Sequence, residues 1–389
     1  MKYLIRFIIS FSFIKSLRFL VILLSKKKTD VLIYYPQHFN TNSSTPFVLT
    51  QILATLKKNK YSFLTVEEPH LEHNIRNTAA FPSDVLWIVV ILLRKCFRGD
   101  NYHIIDLKIG RLLSKIFVNH QFSNIITVSQ SFQSILRGMF PNSNLFDYQH
   151  GLISNQYLGY INGDRISDTL ISNKCHLLLY GLGVQQKLLK FKNGRYLKQN
   201  ATIIGSPYQL YQKNHRFFNG SILYSFQFTK SQTDKDNRYL LEKTLDFFKE
   251  VEQSKLDIKI FIKQHPRFEN CIDVTDLYAF SFVKRAPENL EDCFTICSLH
   301  LTEYSSVVFD GLVRGIPTIL TTFSKNLNIF INEYSFPQNT NVSILDHISQ
   351  MSKKNHYQYV SEEQINWSKN VYSPFLPKSF NQILRTKSE

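Results

Sequence analysis

Short apolar runs alternate with segments of helical spacing along most of the chain. The run DVLIYYP at residues 30–36 is apolar, rich in β-formers and stops at a proline, as a buried parallel strand does. The segment PFVLTQILATLKKN follows a polar loop and carries apolar residues at helical spacing, with Pro46 near its start. Strands that alternate with helices predict an α/β domain with a parallel sheet.

The same alternation continues and then restarts in the second half. Further strands are predicted at 123–131, 143–151, 175–181, 200–207, 220–229, 257–266 and 280–285. The amphipathic stretch 236–254 predicts a long helix, and 297–322 reads as strand, turn, helix and strand. A chain of 389 residues, 43% of them hydrophobic, exceeds one compact domain. We therefore expect two Rossmann-like domains that face a central cleft.

This organisation gives four segments. Residues 1–28 form a basic apolar helix, 29–195 a first Rossmann-like domain, 200–361 a second one, and 362–389 a tail that packs back on the first domain. The linker between the domains is expected near 192–199.

The N-terminal segment MKYLIRFIISFSFIKSLRFLVILLSKKK mixes apolar runs with Arg6, Lys15 and Arg18. These charges keep every run shorter than a bilayer span, and SKKK is not a signal-peptide cleavage site. One interpretation is a helix lying on an anionic membrane surface, with its cations at the headgroups. The other is an ordinary core helix of the first domain. The stretch 84–99 has a similar basic end and allows the same two interpretations.

The formal net charge of +16 favours anionic partners, although a general bias toward lysine explains it equally. The basic residues are scattered and no nucleic-acid-binding signature appears, so nucleic acid is not the expected partner. The five cysteines, an odd number without metal-type pairing, favour a reducing cytoplasm; they are Cys96, Cys175, Cys271, Cys293 and Cys297. Cys293 and Cys297, four residues apart, are expected on one face of a helix in the core.

Polar residues follow nearly every predicted strand. These exits carry Gln37-His38, Ser129 to Ser131, His150-Gly151, and residues 225–227, 263–267 and 303–306. Ligands of open parallel sheets bind beyond the carboxyl ends of the strands. The shared position of these clusters therefore predicts one common site.

The turn KQHPR places three basic side chains within five residues. Pro266 favours an extended conformation at His265, and alternation then points Lys263, His265 and Arg267 to one side. Such a group suits a phosphate or diphosphate. The alternative is a solvated basic turn.

The segment TEYSSVVFDG predicts a helix that begins at Ser305 and Ser306. The unpaired N–H groups of a helix start bind phosphate readily, and serine hydroxyls add donors. Glu303 and Asp310 are seven residues apart, so they would share one helical face and accept hydrogen bonds from ribose or sugar hydroxyls. The alternative is plain capping of the helix by serine.

His150 is the candidate general base. Gly151 permits a tight turn and leaves room for a ligand, and an imidazole can take a proton from an acceptor hydroxyl. The alternative is a core histidine in a turn. No metal-binding cluster is evident, so cationic side chains and the helix start would stabilise a leaving phosphate. Neither a metal nor another cofactor is expected.

Four short motifs, taken in order, resemble one group of enzymes. YQHGLISNQYLGY, IIGSP, IKQHP and TEYSSVVFDGLVRGIPTIL are similar to those of bacterial capsule and lipopolysaccharide glycosyltransferases of the GT-B fold. That group is related to the CDP-glycerol glycerophosphotransferases and the polysialyltransferases. The resemblance covers roughly residues 147–320. Glu303 stands where the glycerophosphotransferases commonly have aspartate, and their usual residues after the HG pair are missing.

The resemblance implies a function and roles for the matching residues. His150 would be the base, His265 would contact the donor phosphate, and Ser305 and Ser306 would bind phosphate or nucleotide, with Asp310 in the acidic position. The first domain would bind the acceptor and the second the nucleotide donor. A sugar would pass from a CMP-, UDP- or similar donor to a surface polysaccharide or lipid-linked glycan, at the inner face of the cytoplasmic membrane. The alternatives are a polyol-phosphate transferase, a non-catalytic nucleotide-sugar- or glycan-binding subunit, and an epimerase of the same architecture.

Overall fold

The chain forms two compact units. The computed structural model describes residues 11–40, 44–71, 75–97, 99, 101–117, 119–207, 217–228, 233–265, 272–323 and 329–386. The first unit comprises Met1–Pro207 and Ser373–Glu389, and the second comprises Tyr208–Tyr372. Each unit contains a parallel sheet with helices. The prediction of two α/β halves is confirmed.

Seven parallel strands form the sheet of the first unit. They are β1 (Lys28–Pro36), β2 (Phe63–Glu68), β3 (Phe81–Pro82), β4 (Gln121–Val128), β5 (Asn144–Tyr148), β8 (His176–Leu179) and β9 (Ala201–Ile203), with β6 (Ile161–Asn162) and β7 (Arg165–Ile166) pairing in a separate antiparallel ribbon. The order across the sheet is β3-β2-β1-β4-β5-β8-β9. The order reverses between β1 and β4, which is where open α/β sheets bind ligands.

Among the residues that the structure describes, seven helices of the first unit precede the second unit. They are α1 (Phe13–Leu24), α2 (Thr50–Lys58), α3 (Asp84–Cys96), α4 (Tyr102–Ser114), α5 (Gln133–Met139), α6 (Asp168–Ser172) and α7 (Leu182–Leu189). Helices α4 and α5 meet at two glycines, because a Cβ added to Gly110 would stand 2.3 Å from the carbonyl oxygen of Ile135 and 2.8 Å from Cα of Gly138. The two backbones therefore pack directly against each other.

The second unit has a five-stranded parallel sheet. Its strands are β10 (Ser221–Ser225), β11 (Lys259–Lys263), β12 (Val283–Arg285), β13 (Leu299–Thr302) and β14 (Thr318–Leu320), in the order β12-β11-β10-β13-β14. Its helices are α8 (Asp234–Ser254), α9 (Leu290–Ile296), α10 (Val307–Val313), α11 (Ile329–Tyr334), α12 (Ile344–Met351) and α13 (Lys354–Val371). Helix α8 begins at a capping box formed by Thr233 and Asp236.

The chain then returns to the first unit. Helix α14 (Pro377–Thr386) packs against α2 and β9, and the hydroxyl of Tyr61 donates to Oδ1 of Asn381 at 2.9 Å. Gly205, after β9, holds φ of +82°, and its Cβ position lies 2.1 Å from the carbonyl oxygen of Pro374. A side chain at 205 would push this returning segment away.

Two segments lie in a different unit from the one their sequence pattern indicates. β9 falls within the predicted second domain but pairs with β8 at the edge of the first sheet. Residues 362–371 fall within the predicted tail but complete α13 in the second unit. The alternation of strand and helix is the same in both units, so the pattern does not say which sheet a strand joins.

Two further sequence expectations concern α1, α3 and the cysteines. In the part of the chain that the structure describes, no helix has the length and apolarity needed to cross a membrane. Cys293 and Cys297 are buried in a core cluster with Leu223, Phe294 and Ile316. Cys271 lies outside the described residues.

Candidate functional site

His150 lies where the chain leaves β5 at the carboxyl edge of the first sheet. Its half-buried imidazole has the ring of Phe39 at 5.2 Å and that of Tyr157 at 6.2 Å, both edge-on. Gly151 has φ of +64°, a conformation that favours glycine, and no atom beyond residues 150–152 lies within 4 Å of where its Cβ would stand. The imidazole is therefore held between two aromatic rings, and open space adjoins the next residue.

Two more histidines join His150 from neighbouring strands. His38 follows β1 and lies 4.5 Å from the ring of Phe39, and His70, after β2, lies 5.3 Å from His38. We call these three histidines, with Phe39 and Tyr157, the histidine cluster. Its residues come from the segments that follow β1, β2 and β5. β1 is one of the two strands between which the strand order reverses.

Two buried glutamines fix the backbone that carries the cluster. Oε1 of Gln37 accepts from the backbone N–H of His70 at 2.9 Å. Oε1 of Gln149 accepts from the N–H of Tyr180 at 2.9 Å, and its Nε2 donates to the carbonyl of Gly151 at 2.8 Å. These bonds set the turns on which His70 and His150 stand.

The buried carboxyl of Asp147, in β5, links neighbouring segments at the carboxyl edge of the first sheet through hydrogen bonds. Oδ1 accepts from Oγ1 of Thr127 and from the N–H of Gln130, both at 2.7 Å, and Oδ2 accepts from the hydroxyl of Tyr160 at 2.6 Å. Ser129 and Gln130 have φ near +60°, so the carboxyl stabilises a turn that side chains rarely adopt. Burial raises the pKa of Asp147 to about 7, against the effect of these hydrogen bonds.

The turn after β4 connects Asp147 to the histidine cluster. Oγ of Ser129 and the hydroxyl of Tyr157 are 2.8 Å apart, so Ser129 positions the ring that flanks His150. Nε2 of Gln130 donates to the carbonyl of Gly159 at 2.5 Å. The segment that covers one side of His150 is thus held by the exit of β4.

Glu68 is a second carboxyl at the same edge. It ends β2 and accepts a hydrogen bond from Oγ of Ser131. Burial raises its pKa to about 7, although Arg94 acts in the opposite direction. Arg94 itself pairs with Asp106, with both N···O distances 2.7 Å.

In the second unit, Lys263 is the last residue of β11 and His265 follows the strand, but the ammonium of Lys263 is engaged. Its Nζ donates to the carbonyls of Pro287 at 2.9 Å and Glu288 at 2.7 Å, which holds the loop after β12. His265 is half-buried. Pro266 and Arg267 lie outside the described residues, so the predicted one-sided arrangement of the three basic side chains stays a prediction.

The side chains of Glu303 and Ser305 form hydrogen bonds within the second unit. Glu303 is buried, and its Oε2 accepts from Oγ1 of Thr321 at 2.6 Å and from the N–H of Phe323 at 3.1 Å. Oγ of Ser305 accepts from the N–H of Val307 at 3.2 Å. This bond to the start of α10 agrees with the alternative in which serine caps the helix and does not bind phosphate. Because α10 begins only at Val307, Glu303 and Asp310 do not share a helical face, contrary to expectation.

Ser306 and Asp310 are more accessible than Glu303 and Ser305. Ser306 is exposed and immediately precedes α10, and its side chain makes no capping bond. Asp310 is half-buried, and its backbone carbonyl accepts from Arg314 at 2.7 Å. Of the predicted second-unit residues that the structure describes, Ser306 is therefore exposed and His265 and Asp310 are half-buried.

Several site residues were not predicted from the sequence. Glu68 ends and His70 follows a strand, SFLTVEE, whose alternating pattern is short and easily passed over. Phe39 and Tyr157 join the site only through the packing of separate strand exits. Among the described residues, no group of three or more histidine, cysteine, aspartate or glutamate side chains is placed to hold a metal ion.

Comparison with known proteins finds similarity in structure alone. No family model and no curated protein matches the sequence. A variant of the wall teichoic acid polymerase TagF has a TM-score of 0.51 at 12% identity, covering 96% of this chain and 92% of that one. A putative UDP-N-acetylglucosamine 2-epimerase from Listeria monocytogenes has a TM-score of 0.54 at 12% identity, covering 91% and 95%. The UDP co-structure of MnaA from S. aureus has a TM-score of 0.53 at 10% identity, covering 92% and 98%. The chain therefore has the two-unit α/β architecture of the GT-B fold.

Proposed function

We propose that the protein is a glycosyltransferase that moves a sugar from a nucleotide-activated donor to a surface polysaccharide or lipid-linked glycan, with His150 as general base. The observation that carries this proposal is the position of His150. It lies at the carboxyl edge of the first sheet, near the reversal of strand order, and open space adjoins the next residue, Gly151. The position of His150, together with the GT-B fold, supports a reaction on a nucleotide sugar.

The chemistry assigns one role to each unit. The acceptor hydroxyl gives its proton to the imidazole of His150 as its oxygen bonds to the anomeric carbon, and the bond from that carbon to the donor phosphate breaks. The nucleotide leaves with the bonding electrons. Its new negative charge is stabilised by donors of the second unit, for which His265 and the exposed helix start at Ser306 are the candidates. The reaction needs no metal ion in this scheme.

The donor is identified first by thermal unfolding with CMP, CDP, UDP, GDP and TDP. A ligand that binds only the folded protein raises the midpoint as its concentration exceeds Kd. The matching nucleotide sugars are then tested for nucleotide release with and without a glycan primer. Release that depends on the primer supports transfer, whereas release without any acceptor and with an altered sugar indicates an epimerase.

His150→Asn tests the base. We expect transfer to fall by about 10²–10⁴-fold while the nucleotide still raises the unfolding midpoint as in the wild type. The matched control is His356→Asn, at a half-buried histidine of α13 in the second unit, which should leave transfer unchanged. Unchanged transfer in His150→Asn would remove the proposed base.

The likeness to a wall teichoic acid polymerase favours polyol-phosphate transfer as the second candidate. In that reaction the bond that breaks joins two phosphates, and the nucleoside monophosphate is released. Release of a nucleoside monophosphate from CDP-glycerol, with none from any nucleotide sugar, would select this candidate. Nucleotide binding without turnover of any donor would instead favour a binding subunit.

A further inference from the structure

Helix α1 carries an exposed apolar face. The side chains of that face are Phe13, Ile14, Leu17, Val21 and Leu24, which we call the α1 face. At about 100° per residue they fall within a single arc of about 100°. Ile14 and Val21 are 70% and 65% exposed. Large apolar side chains on one face of a helix mark an interaction site, because scattered exposure would not follow the helical period.

The opposite side of α1 already holds the helix to the first unit. Ser16, Phe19 and Leu23 are buried, and Oγ of Ser16 accepts from the N–H of Val85 at 2.9 Å. At the end of the helix, Oγ of Ser25 donates to the carbonyl of Ile22 at 2.6 Å. The α1 face is therefore not needed to keep the helix in place.

Positive charge surrounds the α1 face. Lys15 and Arg18 are exposed on the helix, and Lys26, Lys27 and Lys28 are exposed directly after it. No acidic residue precedes Asp30 in the chain. A partner for this region must therefore be both apolar and anionic.

We propose that the α1 face docks on the surface of an anionic lipid bilayer. Its apolar side chains enter the boundary between headgroups and acyl chains, and the adjacent lysines and arginine contact the anionic headgroups, as interfacial helices do. The proposal goes beyond the proposed function and does not depend on it.

The test is co-sedimentation of the full chain with vesicles of phosphatidylcholine alone or mixed with phosphatidylglycerol. We expect binding to the anionic vesicles that weakens with added salt, and little binding to phosphatidylcholine alone. Ile14→Ser with Val21→Ser should weaken binding by about tenfold or more. The matched control is Tyr239→Ser with Tyr359→Ser, at exposed aromatic residues of the second unit, which should bind as the wild type does.

A second pair of substitutions separates charge from apolar contact. Lys15→Gln with Arg18→Gln should weaken binding to anionic vesicles by about fivefold per charge removed. Lys353→Gln with Lys354→Gln, exposed in the second unit, is the control.

Three results would overturn the proposal. They are no binding of the wild type to anionic vesicles, wild-type binding by the Ile14/Val21 variant, and a change of oligomeric state in that variant without loss of vesicle binding, which would make the α1 face an interface between copies. The assay contains no donor or acceptor, so its outcome is separate from that of the transfer experiments.

Discussion

Asp147 organises more of the candidate site than the proposed base does. Its carboxyl oxygens accept from β4, from the turn after β4 and from the segment that carries Tyr157. Three donors aimed at the carboxyl of Asp147 favour its ionised form, but burial opposes ionisation and has the larger effect on its pKa. The balance leaves a carboxyl that changes its charge close to neutral pH, one turn away from His150.

Asp147→Asn should change how stability depends on pH. The pKa of about 7 in the folded state exceeds the value of about 4 in the unfolded state, so the folded state binds the proton more tightly. The resulting stabilisation is complete below about pH 4 and is lost as pH rises through 7. Since asparagine does not titrate, the difference in unfolding free energy between wild type and variant should fall from pH 5 to 7, by up to about 1.4 kcal/mol per pH unit.

Urea unfolding of both proteins at pH 5, 6, 7 and 8 measures that difference. Thr127→Val is the control, because it removes one hydrogen bond to Asp147 but leaves the titrating carboxyl. It should cost about 1 kcal/mol with little change in slope. A difference between wild type and Asp147→Asn that is constant over this pH range would show that the folded state does not retain the proton.

At the scale of elements, β14 shows how an edge strand is protected. Gln338 pairs with both the N–H and the carbonyl of Leu320, at 2.6 and 2.8 Å. Gln364 does the same at Thr318, at 2.7 and 2.8 Å. The two amides thus occupy the positions that a neighbouring strand would fill. They leave fewer backbone groups of this edge open to another chain.

Gln364→Glu should destabilise the second unit. The side chain is buried, and a carboxylate would place a charge opposite the carbonyl of Thr318, where the amide now donates. We expect a loss of about 2–4 kcal/mol in unfolding free energy, measured by urea unfolding at pH 7. Gln382→Glu, at an exposed position of α14, is the matched control and should change stability by less than about 0.5 kcal/mol. Equal effects of the two substitutions would show that the amide pairing does not stabilise the edge.

The sequence predicted most elements but not how they assemble. Strands such as β1 and β13 are apolar runs that end at polar residues, so their positions follow from local pattern. The signal that singles out His150, a strand exit followed by glycine, is also local. Glu68 and His70 required β2 and its place beside β1, and Glu303 required knowledge that α10 begins four residues later. These facts depend on contacts between distant segments, which periodicity does not encode.

At the scale of the whole molecule, Asp147 and Glu68 of the first unit and His300 of the second respond to acid in opposite directions. Asp147 and Glu68 in the first unit have raised pKa values, so protonation favours their folded state. In the second unit, burial lowers the pKa of His300 to about 3, and its ring nitrogens lie 3.0 Å from Oγ1 of Thr318 and 3.1 Å from Oγ of Ser225. The folded state holds the imidazole of His300 neutral, so protonation of that imidazole at low pH destabilises the fold. Because each unit has its own sheet, we expect each to unfold as a separate cooperative structure.

Calorimetric unfolding at pH 7 and pH 5 should therefore separate into two transitions at the lower pH. The stabilisation from neutral His300 is complete above the unfolded pKa of about 6.5 and is lost as pH falls toward 3, which amounts to about 2 kcal/mol at pH 5. The second-unit transition, identified because Gln364→Glu lowers it alone, should move down relative to the first. His300→Gln keeps a side chain with a donor and an acceptor but does not titrate, so its second-unit transition should depend less on pH. If both transitions moved together in the wild type and in His300→Gln, burial of His300 would not be what makes the second unit sensitive to acid.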